Sequence, residues 1–433
     1  MPDISDLRQR QALPLGAKVL MSQSRIREWY NHFQGEVYVS FSGGKDSTVL
    51  AHLVRQMYPE VPLVFSNTGL EYPEIQKFAR KMGAIFVRPK MAFSDVISKY
   101  GYPIISKEVA EAVYYARRIR NGGGYITTDK YRGDLNGLRM YAQRPQELAH
   151  GRERQNFGGG VQRNRTQTEG YYRIPQTVRK RAQFAGEYGY IQPRRGSDGT
   201  GNTAGVEEKK SIFNKEKWLP LCNETQFLIS HYCCNAMKKS PIASYQRKNK
   251  LVPFIGTLAE ESKLREQAWI KHGCNAFDSK KKTSQPMSFW LEQDVLQYIK
   301  DNGIEIASVY GDIVTVDEYG FEYDSLLAPC GKLKCTGCQR TGCIFCGFGA
   351  YLDKGETRFQ RLAKTHPKQY EYCMRGGQWV DNPNFDPSAP EHDGEWKNWN
   401  PKKIWVPSKE GLGMKKVFDD CNAIYGKDFI RYD

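Results

Sequence analysis

The sequence has no long apolar run. Hydrophobic residues make up 39% of 433 positions, enough for a core, yet no stretch nears the ~20 consecutive apolar residues of a membrane-spanning helix. A membrane partner is therefore not expected. The opening residues, MPDISDLRQRQ, lack the apolar segment of a secretory signal. Negative charge is also short. Asp and Glu number 48 against 64 Lys and Arg, a formal net charge of +16. That balance suits a polyanionic partner such as nucleic acid, or the phosphates of nucleotides. Eleven cysteines without a signal segment point to a reducing cytoplasm, and to metal or redox chemistry rather than a disulfide framework.

The most informative stretch is Val37 to Leu50, VYVSFSGGKDSTVL. Val37 to Phe41 is a short β-rich apolar run that stops at glycines and reads as a buried strand. Val49, Leu50, Leu53, Val54 and Met57 then recur at helical spacing. The segment between them thus joins a strand to a helix N-terminus, where open N–H groups and the helix dipole favour an anion. Gly43 and Gly44 allow a tight turn and close approach of a ligand. Ser42 and Ser47 add hydroxyls, Lys45 a positive charge, and Asp46 a carboxylate. Together they form a cradle for phosphate or pyrophosphate. The spacing is not that of the Walker loop, which needs four residues between its first Gly and its Gly-Lys pair. SGGKDS instead resembles the PP-loop of ATP pyrophosphatases, which cleave ATP between the α- and β-phosphates.

Val61 to Phe65 reads as a second buried strand, Pro73 as the start of a helix, and Ala84 to Val87 as a third strand. Alternation of strand and helix predicts an α/β fold with a doubly wound parallel sheet. Asn67, Thr68 and Gly69 fall at the carboxyl end of the second strand, where such sheets bind ligands. SNTGLEYPEI resembles the DTG-type motif of the phosphoadenosine phosphosulfate (PAPS) reductase family, with Asn67 where that family usually has Asp. The resemblance implies the Rossmann-like fold of the adenine nucleotide α-hydrolases and places Ser42 to Ser47 and Asn67 to Gly69 around a nucleotide.

A helix is expected over Ser106 to Arg120. From about Asn121 to Val206 the chain turns rich in Gly, Arg, Gln, Asn and Thr, with Arg and Tyr interleaved, as in Tyr171-Tyr172-Arg173. A long aperiodic segment of this kind is most often functional or mobile, and its composition suits a nucleic-acid backbone with bases stacked on rings. A solvated insertion over the active site is the plainer alternative. The expected organisation is a nucleotide-binding part over 1–120, a basic insertion over 121–215, the second part of the PAPS reductase-like domain over 216–310, and a Cys-rich region with a C-terminal wrap over 311–433.

Asn223 to Met237 reads as a helix carrying Cys233 and Cys234. Val252 to Gly256 reads as a strand, followed by a helix from about Glu260. Glu261, Ser262 and Arg265 resemble the G-x-R-x-x-E-S-x-x-R segment of the family, with Leu258 in place of its first Arg. The resemblance makes Arg265 a catalytic anion contact and Glu261 a nucleotide contact. Read from spacing alone, the two make an ion pair along a helix. Trp290, Val295 and Ile299 stand at core-facing intervals.

Cys330, Cys335, Cys338, Cys343 and Cys346 crowd into PCGKLKCTGCQRTGCIFCGFG. Two CxxC pairs, Cys335/Cys338 and Cys343/Cys346, have the spacing of zinc ligands, though the four-residue link between them is tight for two knuckles. CCNAMKKSP resembles the paired-cysteine segment of sulfonucleotide reductases that carry a [4Fe–4S] cluster. That likeness implies a cluster on Cys233, Cys234, Cys343 and Cys346, with Lys238 and Arg340 offsetting its charge. Cys222, Cys274, Cys373 and Cys421 stand alone and read as ordinary thiols. The tail after Met374 reads as an irregular wrap.

The family likeness covers Val37 to Val113 and Cys222 to about Gly426. It implies one of two activities. In the first, ATP with Mg2+ adenylates a substrate, DNA or tRNA among the candidates, and sulfur from a donor protein displaces AMP. In the second, phosphoadenosine or adenosine phosphosulfate is reduced to sulfite. The reductases use a mobile cysteine in an ECG-type motif, which this sequence lacks, and they usually degrade the loop that is intact here. A third reading is a non-enzymatic nucleotide-binding adaptor with a zinc knuckle.

Overall fold

A computed structural model describes residues 3–120, 216–317, 331–388 and 399–433. The basic insertion and Cys330 lie outside the described residues. In chain order the strands are β1 (Val37–Phe41), β2 (Leu63–Ser66), β3 (Ile85–Val87), β4 (Ile104–Ile105), β5 (Val252–Ile255), β6 (Asn275–Ala276), β7 (Thr283–Ser284), β8 (Ile313–Val316), β9 (Lys332–Cys335), β10 (Gly347–Phe348), β11 (Gln378–Asp381) and β12 (Lys403–Val406). The chain divides into two compact units. One comprises Met1–Val96 and Cys233–Cys346, the other Ile97–Tyr232 and Gly347–Asp433.

The first unit is mixed α/β, built on a six-stranded sheet ordered β3-β2-β1-β5-β7-β6. Every pairing is parallel except β6 with β7. Its central strands carry the apolar residues that set their pairing. Val37, Tyr38 and Val39 are fully buried, and Val37 faces Val252 while Val39 faces Leu63 and Phe254. A strand buried on both faces has to read as a continuous apolar run, and β1 does. Chain order reverses at β1, which lies between β2 and β5, and crevices at such reversals bind ligands beyond the carboxyl ends of the strands.

Two helices close this unit around a polar core contact. Lys18, in the helix Leu15–His32, is 2% exposed and places its Nζ 2.6 Å from Asp294 Oδ2 at the start of the helix Glu292–Asp301. Trp290 donates its Nε1–H to Ser22 Oγ at 2.9 Å. Trp290, Val295 and Ile299 are buried, the packing role expected of them.

In the second unit β4 pairs with β10 in parallel and β11 with β12 antiparallel. Arg117 organises it. The guanidinium is buried and donates to the carbonyls of Cys222, Phe227 and Leu221 at 3.0, 2.6 and 2.6 Å, and to Thr225 Oγ1 at 2.7 Å. Its far face lies 4.0 Å from the Trp399 ring.

Two local expectations fail. The stretch Asn223 to Met237 is not one helix. A short helix ends at Asn223, Phe227 and Ile229 form bridges to Trp405 and Tyr102, and Cys233-Cys234 lead into a π-turn over Asn235–Lys239. Long-range backbone pairing outweighs local helical spacing there. The expected irregular wrap also contains order, since β11 and β12 pair residue for residue from Gln378 with Val406 to Asp381 with Lys403.

Candidate functional site

The loop after β1 adopts the conformation that its glycines require. Gly43 has φ +71°, and a Cβ there would sit 2.8 Å from Ile75 Cγ2. Gly44 occupies the N-cap position of the helix Lys45–Met57, so no cap side chain covers the first N–H groups of that helix. The serines brace the turn from within. Ser47 Oγ donates to the Gly44 carbonyl at 2.9 Å and lies 3.0 Å from Ser42 Oγ, while Ser42 N–H donates to Ser47 Oγ at 3.2 Å. Gly256, just past β5, completes the floor. A Cβ at Gly256 would meet the Asp46 carbonyl at 2.9 Å, so only glycine lets β5 pass this close under the loop.

Charge gathers around Asp46. Burial pushes its carboxyl above the ordinary value and Glu292 adds to that, whereas Lys45, Arg340 and Arg265 pull it back. Lys45 is 5% exposed, with its Nζ 3.0 Å from Glu292 Oε1 and 5.6 Å from the centre of the Tyr310 ring. Tyr310 in turn shares a 2.5 Å hydrogen bond with Thr341. Glu261 is paired with both Arg265 and Arg340, and it also accepts from the Leu258 N–H at 3.2 Å. The ion pair Glu261–Arg265 expected from spacing is present, but not along one helix, since Glu261 ends a short 3-10 turn and the helix begins at Lys263. Glu261 acts as a bracket that holds two arginines beside the loop. Burial and the neighbouring Arg340 lower the Arg265 pKa, and Asp46 opposes them. Arg340, two residues after Cys338, is ion-paired with Glu261.

Asn67, Thr68 and Gly69 form a turn closed on Glu71. Thr68 donates its hydroxyl to Glu71 Oε1 at 2.7 Å and its N–H to Glu71 Oε2 at 3.1 Å. Asn67 Oδ1 accepts from Gly69 N–H at 3.4 Å. A cavity of about 180 Å³ is lined by Ser42 of the loop, by Phe65, Ile75 and Ile242, and by Glu71 and Lys238.

Lys238 connects the cavity to the cysteines. Its Nζ lies 3.6 Å from Glu71 Oε1. Burial works to lower its pKa, but Cys343 and Glu71 outweigh this and raise it. Burial pushes the Cys343 thiol up, and Lys238 opposes the shift. Cys233 and Cys234 have their sulfurs 3.9 Å apart. The Cys233 thiol is raised far above its usual range by contact with Cys234 and by burial, and Cys346 and Cys343 add to it. Cys343 and Cys346 thus approach Cys233 and Cys234 across more than a hundred residues, aided by the Ile344 N–H donating to the Leu70 carbonyl at 2.8 Å. Among the described residues, no group of three or more His, Cys, Asp or Glu side chains is arranged to hold a metal ion as it stands. Cys335 has different neighbours, since after its burial the charges acting on it are Lys45, Glu292 and Cys338.

Glu292, Thr341, Tyr310 and Glu71 were not singled out from sequence, and Arg340 was read only as a partner of the cysteines. Glu292 follows a tryptophan that reads as core, and Arg340 and Thr341 sit inside a cysteine motif that draws attention to its sulfurs. Glu71 had a usable signal, a carboxylate a few residues past the second strand.

Comparison with known proteins gives one family. The phosphoadenosine phosphosulfate reductase domain matches residues 36–96 and 171–347, more than half of the chain. A phosphoadenosine 5'-phosphosulfate reductase of Photorhabdus laumondii is 31% identical over 68 residues, 16% of this chain and 28% of that protein. The enzyme of the same name from Vibrio campbellii is 32% identical over 65 residues, 15% of this chain and 25% of that protein. An uncharacterised protein of Methanocaldococcus jannaschii is 32% identical over 91 residues, 19% of this chain and 22% of that protein. The chain therefore spans about a quarter of the length of these curated relatives.

Proposed function

Because the chain belongs to the phosphoadenosine phosphosulfate reductase domain family, we propose that it is an adenine nucleotide α-hydrolase whose loop, Ser42 to Ser47, binds ATP and directs cleavage between the α- and β-phosphates. The observation that carries this reading is the gathering of Lys45, Arg265 and Arg340 around Asp46 at an uncapped helix N-terminus. Three cations and open N–H groups suit a leaving pyrophosphate, whose charge grows as the bond breaks. Asp46 is the carboxylate that would hold Mg2+ on those phosphates, and a cation beside it would lower its raised pKa. An oxygen of the acceptor attacks the α-phosphorus, pyrophosphate departs, and a sulfur nucleophile from a donor protein then displaces AMP. The net charge of +16 supports a nucleic-acid acceptor, DNA or tRNA.

Cys233, Cys234, Cys343 and Cys346 are the residues that would hold a [4Fe–4S] cluster, and the mutual approach of their thiols supports that set over a zinc site on Cys335, Cys338, Cys343 and Cys346. Such a cluster would supply a binding point for sulfur or an electron source beside the nucleotide. Lys238, whose ammonium lies beside Cys343, would offset the cluster's negative charge. These thiols need a reducing cytoplasm. No helix among the described residues is long and apolar enough to cross a membrane.

The second reading is reduction of a phosphosulfate, favoured by the names of the Photorhabdus and Vibrio relatives. It requires a mobile nucleophilic cysteine. Cys373 and Cys421 are fully buried inside helices, and burial pushes both thiols up, which suits neither to that role. The test runs both substrates side by side on anaerobically purified protein, with pyrophosphate measured from ATP plus DNA or tRNA and sulfite from phosphosulfate. Pyrophosphate without sulfite is the expected result. Sulfite alone moves the protein to the reductases, and neither product leaves the nucleotide-binding adaptor.

A further inference from the structure

Glu71 occupies a position that the loop chemistry does not use. It is 8% exposed and lines the same cavity as Ser42. Its two oxygens accept the hydroxyl and the N–H of Thr68, and Oε1 also meets Lys238. A carboxylate has about four lone-pair sites, so one remains for a donor in the cavity. Its position in the fold is telling. The loop follows β1 and Glu71 follows β2, on the adjacent parallel strand. In dinucleotide-binding sheets, which share the β3-β2-β1 strand order seen here, a phosphate at the first turn places the ribose near the second strand, where an acidic side chain accepts a ribose hydroxyl.

We propose that Glu71 is a specificity-determining residue that accepts a ribose hydroxyl of the bound nucleotide and rejects nucleotides whose ribose carries an additional phosphate. The inference rests on the loop reading above and adds which nucleotides the same site admits. Lys238, paired with Glu71 and set beside Cys343, offsets part of the carboxylate's charge and so limits the size of the selection. A ribose phosphate in this cavity would meet the Glu71 carboxylate at close range, and like charges in a part-buried site repel strongly. The site would then take ATP, AMP or a 5'-phosphosulfate with free ribose hydroxyls. Thr68 fixes the carboxylate from two sides, which keeps it from swinging away.

The test is equilibrium binding of AMP and of adenosine 3',5'-bisphosphate to the full chain, and to Glu71→Gln and Thr68→Val, with thermal melting to confirm that each variant is folded. AMP should bind the wild-type chain about tenfold or more tightly than the bisphosphate, the scale of one hydrogen bond to a charged group. Glu71→Gln should bring the two affinities together, mainly by improving the bisphosphate. Thr68→Val, which keeps the backbone N–H contact but removes the hydroxyl that anchors Glu71 Oε1, should narrow the gap in part. Equal wild-type affinities, or an unchanged ratio in a folded Glu71→Gln, overturn the inference while leaving the loop reading intact. If neither nucleotide binds, the inference falls, and ATP binding by the same chain decides the loop reading separately.

Discussion

Lys45 Nζ sits 3.0 Å from Glu292 Oε1, so the lysine expected to hold phosphate already holds a carboxylate. Glu292 is 51% exposed, and an ion pair open to water on one side contributes little, about 0–1 kcal/mol. Phosphate can therefore displace it at small cost. Lys45→Ala should weaken ATP binding about 10- to 100-fold, the range for a charged hydrogen bond. Glu292→Gln should tighten it, by about threefold at low salt. Titration calorimetry on both variants checks the pair. Weaker ATP binding in Glu292→Gln would mean that the carboxylate takes part in binding the nucleotide or its metal.

Asp46 carries a cost in the free protein. Burial raises its pKa, so the folded state binds this proton more tightly than the unfolded chain does. Its contribution to stability is therefore greatest at low pH and declines as pH rises through the raised value. Asp46→Asn removes the buried charge. The variant should melt at or above the wild-type temperature at pH 7, with an advantage that shrinks toward pH 4, and it should lose Mg2+-dependent ATP binding. A variant that melts lower at pH 7 would show that Asp46 is a stabilising carboxylate.

The cysteines divide into two groups by their neighbours, and metal content should follow the same division. Cys233→Ser and Cys343→Ser are each expected to lose iron and sulfide after anaerobic purification, while Cys335→Ser and Cys338→Ser keep them. Loss of one zinc in Cys335→Ser, with Cys233→Ser unaffected, would assign the metal to the local CxxC pairs.

Arg117 holds three backbone carbonyls and the Thr225 hydroxyl in the second unit. Arg117→Met keeps much of the bulk but strips hydrogen bonds from the carbonyls of Cys222, Phe227 and Leu221. Leaving buried acceptors unsatisfied should cost about 3 kcal/mol or more in urea unfolding. A loss below about 1 kcal/mol would show that water replaces the guanidinium.

The part of the site legible in the sequence is the part in which local signals agree. Val37 to Phe41 is apolar, β-rich and ended by glycine, and the helix after it begins at Lys45. The mostly parallel sheet followed from the same alternation. What could not be read depends on partners far along the chain. Nothing near Glu71 announces Lys238, and nothing near Arg340 announces Glu261. The helix expected over Asn223 to Met237 fails because Trp405 donates its N–H to the Gln226 carbonyl at 2.7 Å, drawing that backbone into an extended path. The approach of Cys343 and Cys346 to Cys233 was implied only by the family likeness, since spacing alone equally allowed a local zinc site.

The central claim is that the loop directs cleavage of ATP at the α-phosphorus. ATP labelled in the α-phosphate, incubated anaerobically with the purified chain and DNA or tRNA, reports the broken bond through its labelled product. Labelled AMP, or label transferred to the acceptor, with pyrophosphate released and all of it lost in Lys45→Ala, is the predicted result. Labelled ADP with free phosphate, or turnover unchanged in Lys45→Ala, would contradict the account.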